Sequence, residues 1–530
     1  MRDVLRPYLT IGVLVASLGL VVPPDTLAVR LADVTEDLGH STALVMGPSG
    51  FPIPPERYAE TMNELYLHAG STQIVPTPEG LYPVTGVKSL MLDPSVAQGV
   101  QALDNTIQGK ISDAGADNPI VVSGFSQSST VSSQAMQQLA SLVNANGQPA
   151  VPSDDVHFVL VGDPNAPNGG LMERFNVPIG GHSPTIPSLG ITFNGATPSD
   201  LYPTDIYTNE YDGFADFPRY PINLLSDINA LLGIIFEHAT YAVNTPGQIA
   251  NAILLPGSED SPTDPCVDCL TNYWMMPTDT LPLLAPLQLI PFIGTPLYDL
   301  LAPDMTVLVN LGYGNIGGIG EDGLITGGWD PGPANDPTTF GVFPTDLHWG
   351  EVGTALIKGV WQGITDAGKQ LLSPDNWHLT PLLENPVLAP LVQAAYAMGL
   401  TDSPHPSLME LLQGALGGFA NFPISHANLL SPFSDLVNDF TGTLSYDYST
   451  LLPVADVVNA LLTTLPSVAF SFITEQLADG HLFQGIGEAV AAGVALIPFA
   501  LVFGGAPILE AAGGTLTNIL QLFDFSDTTP

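Results

Sequence analysis

Short segments that are apolar almost throughout alternate with segments of helical periodicity in the first half of the chain. The candidate strands are residues 42–46, 119–123, 156–161, 191–193 and 205–208. The candidate helices are residues 54–68, 95–109, 131–143 and 223–241. Strands that are apolar on both faces and alternate with helices are typical of a parallel sheet covered on both sides. The sequence therefore predicts an α/β fold, whose chemistry lies at the carboxyl edge of the sheet.

The charge balance of this 530-residue chain is strongly acidic and excludes several kinds of partner. Only 10 Lys and Arg residues stand against 52 Asp and Glu residues, which gives a formal net charge of −42. A surface of this kind repels a phosphate backbone, so nucleic-acid binding is excluded, and it is not steered onto an anionic membrane. Two cysteines are too few for a disulfide scaffold, and no ligand spacing indicates a metal site. We expect neither a metal nor a cofactor.

Residues 1–28 have the layout of an export signal. Arg2 and Arg6 precede an uncharged apolar run at residues 8–22, and small residues up to Ala28 form a candidate cleavage site. Two other interpretations stay open, namely an uncleaved membrane anchor through residues 8–22 and a buried helix of the fold. In either export case the remaining chain is extracytoplasmic, either secreted or held at the cell envelope.

Two cysteines close together in an exported chain predict a disulfide. Cys266 and Cys269 stand in the segment Pro-Cys-Val-Asp-Cys, and they can close a small ring outside the cytoplasm. A redox role for this Cys-x-x-Cys pair is disfavoured, because no thioredoxin-like βαβ pattern surrounds it.

Composition divides the chain into two regions. Residues 29–320 contain the alternating strands and helices, and a Gly- and Pro-rich linker is predicted at residues 321–337. Residues 338–530 are rich in Ala, Leu and Gly and are predicted to be mostly helical. Within them, residues 489–509 carry no charge and are long enough to span a membrane. Their internal Pro and Gly residues favour a buried hairpin instead.

One hexapeptide occurs in both regions. Gly-Phe-Ala-Asp-Phe-Pro at residues 213–218 returns as Gly-Phe-Ala-Asn-Phe-Pro at residues 418–423. Because Asn421 replaces Asp216 in the second copy, the hexapeptide can serve packing rather than chemistry.

Residues 124–128, Gly-Phe-Ser-Gln-Ser, connect a candidate strand to a candidate helix. They match the Gly-x-Ser-x-Gly nucleophile turn with Ser128 in place of the last glycine. Small residues on both sides let the backbone turn sharply, and the helix N-terminus directs its amides at a developing oxyanion. Ser126 is therefore a candidate nucleophile. The alternative is an ordinary turn with a serine near a helix N-cap.

A nucleophilic serine needs a base and an orienting acid, which follow it in the order acid, then histidine, in α/β hydrolases. Carboxylates placed after later strands are those of Asp163, Asp212 and Asp216. The histidines that follow within the same region are His157, inside a strand, His182, in a loop, and His238, at the end of a helix. The residues alone leave this choice open.

Five segments, in order, resemble the mycobacterial PE-PPE domain family, which is itself similar to cutinase-like serine esterases. The segments are residues 124–128, 162–170, 211–218, 238–241 and 311–314. The resemblance implies an α/β-hydrolase (cutinase-like) core with a mainly parallel sheet. We expect a signal-like segment at residues 1–28 in the place of the PE or PPE helical module of that family.

The resemblance also implies roles for individual residues. Ser126 matches the nucleophile and His238, in His-Ala-Thr-Tyr, matches the base. Asp212 is the preferred acid and Asp216 the alternative. The alternatives for Asp212 and His238 are turn formation and helix capping. We expect the oxyanion hole to include the backbone N–H of Gln127 and, from the loop after the first strand, Ser49.

Three functions remain compatible with these features. The first is an exported serine esterase or lipase that hydrolyses acyl esters, and the second is an acyltransferase that moves fatty acyl groups onto envelope glycolipids with the same residues. The third is a non-catalytic envelope binding protein, in which His238 would be misplaced. The apolar residues 277–301 could line the acyl site or simply pack the domain.

Overall fold

The structure is a computed structural model. It describes residues 40–86, 88–178, 181–316, 327–345, 347–407, 410, 432–478, 480–497 and 500. The predicted export signal, its apolar run at residues 8–22 and the second hexapeptide copy at residues 418–423 lie outside the described residues.

The described residues form nine strands, of which seven make up a central sheet and two a separate pair. The strands in chain order are β1 (Thr42–Val45), β2 (Ser71–Ile74), β3 (Ile120–Phe125), β4 (Val156–Val161), β5 (Thr185–Ile186), β6 (Ile191–Thr192), β7 (Thr204–Asn209), β8 (Ile253–Leu254) and β9 (Thr271–Met276). The sheet order is β2-β1-β3-β4-β7-β9-β8, and every pairing is parallel except that of β8 with β9. The predicted α/β fold with a mainly parallel sheet is confirmed.

Helices follow most of the strands. They are α1 (Glu56–Met62), α2 (Leu92–Lys110), α3 (Gln127–Ser141), α4 (Leu171–Arg174), α5 (Leu224–Phe236), α6 (Pro246–Ala250), α7 (Gly294–Asn310), α8 (Trp349–Leu372), α9 (Ala389–Ala397), α10 (Pro432–Ala478) and α11 (Leu482–Ile497). The described part of the C-terminal region is thus mostly helical, as predicted.

Alternate side chains along the strands pack into two separate apolar cores, one on each face of the sheet. In β1, Leu44 belongs to the apolar core that α2 and α3 complete, whereas Ala43 and Val45 belong to the core that α1 completes. In β3, Val122 and Val121 divide in the same way. Strands β1 and β3 therefore each have two buried faces, which is why these two segments are apolar almost throughout.

Four elements differ from the sequence-based predictions. The candidate strand at residues 191–193 belongs to a separate two-stranded hairpin of β5 with β6, not to the main sheet. β2 and β9 were not predicted, because polar residues interrupt both segments. The helix predicted over residues 223–241 ends at Phe236, and a 3-10 helix, His238–Val243, follows it.

Residues 327–345, which we call the strap, lie against the sheet domain, although their first part was predicted to be a linker. Asp330 lies 3.7 Å from the fully buried guanidinium of Arg174. The backbone N–H of Gly328 donates to the buried carboxylate of Glu210 at 2.7 Å. The strap thus supplies partners to two ionisable groups of the domain core. The domain boundaries stay a prediction.

The long helix α10 also packs on the sheet domain. The Tyr82 hydroxyl donates to Asp456 at 2.8 Å, and Phe472 is buried among core residues of the domain. By length and composition alone, Leu451–Ala478 is long and apolar enough to cross a membrane, and it is the one such helix within the described residues. In the described part of the uncharged stretch at residues 489–509, Ala491 and Ala492 are fully buried, whereas Val490 and Ile497 are 54% and 50% exposed.

Candidate active site

The connection from β3 to α3 is a sharp turn with Ser126 at its corner. Ser126 has φ 59° and ψ −118°, a conformation that costs free energy for a non-glycine residue. Gly124 permits the turn, because a Cβ there would lie 2.8 Å from the carbonyl oxygen of Ser128. Ser126 is 9% exposed. The turn presents its hydroxyl at the carboxyl edge of the sheet, as the sequence motif predicts.

Ser128 explains how this turn works without its usual second glycine. The positive φ falls at Ser126, whereas Ser128 already lies in α3, so no left-handed conformation is required there. The Ser128 hydroxyl accepts a hydrogen bond from the Phe125 N–H at 2.8 Å and donates to the Phe125 carbonyl at 3.0 Å. The serine side chain therefore closes the turn from within.

His238 lies between Ser126 and Asp212. Its Nε2 is 2.8 Å from Ser126 Oγ, and its Nδ1 is 2.7 Å from Asp212 Oδ2 and 2.9 Å from Oδ1. The imidazole is 7% exposed and packs edge-to-face on Phe214, with ring centroids 4.8 Å apart. His238 opens the 3-10 helix after α5 instead of ending a helix, so helix capping does not account for its position.

Asp212 follows β7, and other residues hold its buried carboxylate besides His238. The Tyr241 hydroxyl donates to Oδ2 at 2.8 Å, and the Phe214 N–H donates to Oδ1 at 2.9 Å. The same Tyr241 oxygen accepts the N–H of Asn209 at 2.7 Å. These bonds fix the carboxylate in the plane that it needs to face Nδ1 of His238. Tyr241 belongs to the His-Ala-Thr-Tyr segment, but its contact with Asp212 was not predicted.

Asp216, the alternative acid, lies apart from the base. Its Oδ2 accepts the N–H of Tyr211 at 3.0 Å. Burial raises the pKa of Asp216 well above its usual range, and Arg174 opposes that shift only in part. Of the two candidate acids, Asp212 is thus the one that the structure brings to His238.

The remaining candidate bases and acids take other positions. His157 pairs with Asp205 across β4 and β7, with 2.9 Å between Nε2 and Oδ2, and His182 lies exposed in its loop. Asp163 is fully buried and accepts the hydroxyl of Thr197 at 2.6 Å. Burial raises the pKa of Asp163 to about 6, although the hydrogen bonds from the Thr197 hydroxyl and the Asn165 N–H act to lower it.

A side-chain hydrogen bond joins the two residues predicted to form the oxyanion hole, Ser49 and Gln127. The Ser49 hydroxyl donates to Oε1 of Gln127 at 2.8 Å, and Nε2 of Gln127 donates to Ser95 Oγ at 2.7 Å. Gln127 is the first residue of α3, so its backbone N–H has no intrahelical acceptor. The Gln127 side chain therefore holds the loop after β1 beside the start of α3. Ser95 in this link was not predicted.

Cys266 and Cys269 form a disulfide, as the sequence suggested.

The apolar residues 277–301 divide between two environments. Leu281 and Leu284 are buried beside Tyr211, whereas Phe292 and Ile293 are exposed. Within the described residues, no group of three His, Cys, Asp or Glu side chains is arranged to hold a metal ion.

Gly162, at the end of β4, lies directly against the base. Its φ is +54°, and a Cβ there would lie 3.1 Å from His238 Nδ1 and 2.7 Å from Tyr241 Cε2. We expect Gly162→Ala to displace the imidazole and lower kcat/KM for a soluble ester by about 10²-fold, the cost of a misplacement of about 1 Å. The measurement is p-nitrophenyl butyrate hydrolysis.

Gly147→Ala is the matched control for this substitution. Gly147 also has a positive φ, +74°, but no heavy atom lies within 4 Å of the added Cβ. Both variants therefore carry backbone strain, which thermal unfolding measures. Equal losses of activity in the two variants would contradict a role of Gly162 in positioning His238.

Comparison with known proteins places this fold and site in a family. The model of the PE-PPE domain matches residues 69–314, which include Ser126, Asp212 and His238. The chain is also 37% identical over 492 residues to the uncharacterized PPE family protein PPE28 of Mycobacterium tuberculosis, an alignment that covers 90% of this chain and 67% of that protein. The chain belongs to the PE-PPE domain family. The family resemblance inferred from the sequence motifs is confirmed.

Other PE-PPE relatives carry names that state an activity. Esterase PE16 of Mycobacterium tuberculosis is 42% identical over 298 residues, covering 55% of this chain and 52% of that protein. SL1278 acyltransferase Chp1 of the same organism is 31% identical over 220 residues, covering 41% and 48%. The chain thus spans about two thirds of PPE28 and about half of the other two relatives. Its similarity extends to both esterases and acyltransferases.

Proposed function

We propose that this chain is a serine esterase or lipase that hydrolyses acyl esters through an acyl-enzyme. The observation that carries the proposal is the continuous line of hydrogen bonds from Ser126 through His238 to Asp212, with heavy-atom distances of 2.8 and 2.7 Å. This is the arrangement in which a serine hydroxyl can be deprotonated as it attacks a carbonyl.

In the first half of the proposed reaction, Ser126 Oγ attacks the ester carbonyl carbon. Its proton passes to Nε2 of His238, and the buried Asp212 carboxylate stabilises the imidazolium through the Nδ1–H. The carbonyl oxygen becomes an oxyanion, for which we assign the backbone N–H groups of Gln127 and Ser49. His238 then gives the proton to the departing alcohol as the C–O bond breaks.

In the second half, water attacks the acyl-enzyme. His238 takes one proton from this water, and the oxyanion forms again. His238 then returns that proton to Ser126 Oγ as the Ser126–acyl bond breaks, which releases the acid and regenerates the hydroxyl. A sugar hydroxyl in place of water gives acyl transfer to a glycolipid, which is the second candidate function. The similarity to acyltransferase Chp1 supports this second candidate function. A non-catalytic binding protein is disfavoured, since His238 is within hydrogen-bonding distance of both partners.

We also propose that the protein acts outside the cytoplasm, secreted or at the cell envelope. The signal-like residues 1–28 support export, and the disulfide of Cys266 with Cys269 is compatible with an oxidising compartment. The substrate that we propose is a lipid or another acyl ester.

Labelling with a fluorophosphonate probe tests the proposed nucleophile. We expect the purified wild-type protein to be labelled, and Ser126→Ala to lose the label completely, because only an activated serine attacks phosphorus at this rate. Ser141→Ala is the matched control, since this serine lies on the same helix but is exposed at its far end, where its hydroxyl donates to the Gln138 carbonyl. Failure of the folded wild-type protein to react would contradict the proposal.

Turnover of p-nitrophenyl esters separates the two candidate reactions. Hydrolysis that proceeds at the same rate with and without trehalose, the sugar in the name of the relative diacyltrehalose acyltransferase Chp2, supports the esterase. Slow hydrolysis, together with acyl-trehalose formation when the sugar is added, supports the acyltransferase instead.

A further inference from the structure

Helix α8 turns a row of large apolar side chains towards solvent. Trp349, Ile357, Trp361 and Ile364 are 64%, 67%, 68% and 51% exposed. At about 100° per residue, these positions fall within an arc of about 120° on one side of the helix. An exposed apolar row of this length on one helix is unusual for a soluble protein surface.

The orientation of this row is fixed by the opposite side of α8, which packs on α7 through small residues. A Cβ at Gly359 would lie 2.1 Å from Asp304 Oδ1, and one at Gly363 would lie 2.2 Å from the carbonyl oxygen of Leu300. Ala355 is buried in the same seam. The two helices therefore approach too closely for α8 to rotate its large residues inward.

The apolar surface continues beyond α8. Trp377 stacks on Phe292, with ring centroids 6.1 Å apart, and its Nε1 donates to the carbonyl of Leu371 at 3.1 Å. Three of the five tryptophans of the chain thus lie on α8 or beside its C-terminal end. We call the exposed row together with this extension the α8 face, which comprises Phe292, Trp349, Ile357, Trp361, Ile364 and Trp377.

Charge favours one kind of occupant for the α8 face. The exposed arc of α8 contains no charged residue. Its border carries Lys358, Glu351 and Lys369, and Lys369 is paired with Asp366 at 2.8 Å. Tryptophan is enriched where proteins meet the headgroup region of a bilayer, and the stem of Lys358 can reach headgroup phosphates from such a border. An uncharged or zwitterionic lipid surface fits this pattern, whereas an anionic one is repelled by the rest of the molecule.

The α8 face is also linked to the candidate active site. Helix α7, on which α8 packs, contributes Val309 to a buried cluster that contains Tyr211, the neighbour of Asp212. Asn310 of α7 accepts the Tyr211 hydroxyl at 2.7 Å. Helix α8 therefore contacts, through α7, the loop that carries Asp212.

We propose that the α8 face docks the protein on an uncharged or zwitterionic lipid surface. Docking buries its tryptophans at the interface and holds the site beside the lipid from which an acyl ester is drawn. The purpose of docking rests on the proposed esterase function, whereas the binding itself does not.

Flotation of the full-length protein with phosphatidylcholine vesicles tests the docking. We expect the wild-type protein to float with these vesicles, and less of it to float when phosphatidylglycerol is added to them. Trp361→Ser/Ile364→Ser should lower the partition coefficient by about ten-fold or more, because each large side chain contributes its own transfer free energy. Val143→Ser/Val267→Ser is the matched control, since these valines are 67% and 86% exposed elsewhere on the surface.

Two further measurements make the result decisive. Thermal unfolding verifies that both double variants are folded, and hydrolysis of a vesicle-embedded ester relative to a soluble one should fall in the α8 variant alone. Equal flotation of the two double variants, or no flotation of the wild type, would overturn the proposal. So would a wild-type dimer that Trp361→Ser/Ile364→Ser converts to a monomer, because a second copy would then cover the face. Fluorophosphonate labelling reports on the esterase separately, so either proposal can fail alone.

Discussion

Replacing His238 with alanine should lower kcat for a soluble ester by about 10⁶-fold, the loss found when the base of a serine triad is removed. Without Nε2 at 2.8 Å from Ser126 Oγ, nothing within the described site can take the hydroxyl proton as attack begins. The measurement is steady-state hydrolysis of p-nitrophenyl butyrate, with thermal unfolding to verify the fold.

His182→Ala is the control for this loss. His182 is the exposed loop histidine that the sequence left as an alternative base, and we expect its removal to leave kcat within about two-fold, as for other surface positions. A His238→Ala protein that keeps a tenth of the wild-type activity would contradict the assignment of His238 as the general base.

Asp212→Asn should lower kcat by about 10⁴-fold while leaving the fold intact. The amide is nearly the same shape as the carboxylate, but its NH₂ group can hold the imidazole in the wrong tautomer, and it carries no charge to stabilise the imidazolium. Loss of kcat at nearly constant KM, measured with the same soluble ester, is the expected signature.

Asp216→Asn decides between the two candidate acids. Asp216 bonds the Tyr211 N–H, an interaction that an asparagine oxygen can keep, and its raised pKa makes a neutral side chain at this position less disruptive. We expect its kcat to stay within about ten-fold of the wild type, since Asp216 does not touch His238. Equal losses in Asp212→Asn and Asp216→Asn would contradict the choice of Asp212.

The sequence predicted the turn that carries Ser126, because that turn depends on local geometry. The turn around Ser126 needs only small residues at 124 and 128 between a strand and a helix, and all of these are adjacent in the chain. The parallel sheet was predictable for a similar reason, because strands with two buried faces are apolar throughout.

Other features depend on contacts between distant segments and were not predictable. Two carboxylates four residues apart, Asp212 and Asp216, differ only in where the backbone directs them, so sequence reasoning ranked them without deciding. The bond from Tyr241 to Asp212 needs the 3-10 helix that follows α5, whereas periodicity predicted one continuous helix. The first part of the strap was predicted to be a linker because Gly and Pro suggest loops, and its partners lie far away in sequence.

The strap has a practical consequence for where this chain can be cut. A fragment that stops at residue 314, the end of the family match, keeps Ser126, Asp212 and His238 but loses every contact of the strap. Arg174 would lose its ion pair with Asp330, and Glu210 would lose the amides of Gly327 and Gly328. A buried charge without its partner costs about 3–5 kcal/mol, a large share of the stability of an ordinary domain. We therefore expect the smallest independently folding unit that contains Ser126, Asp212 and His238 to include the strap.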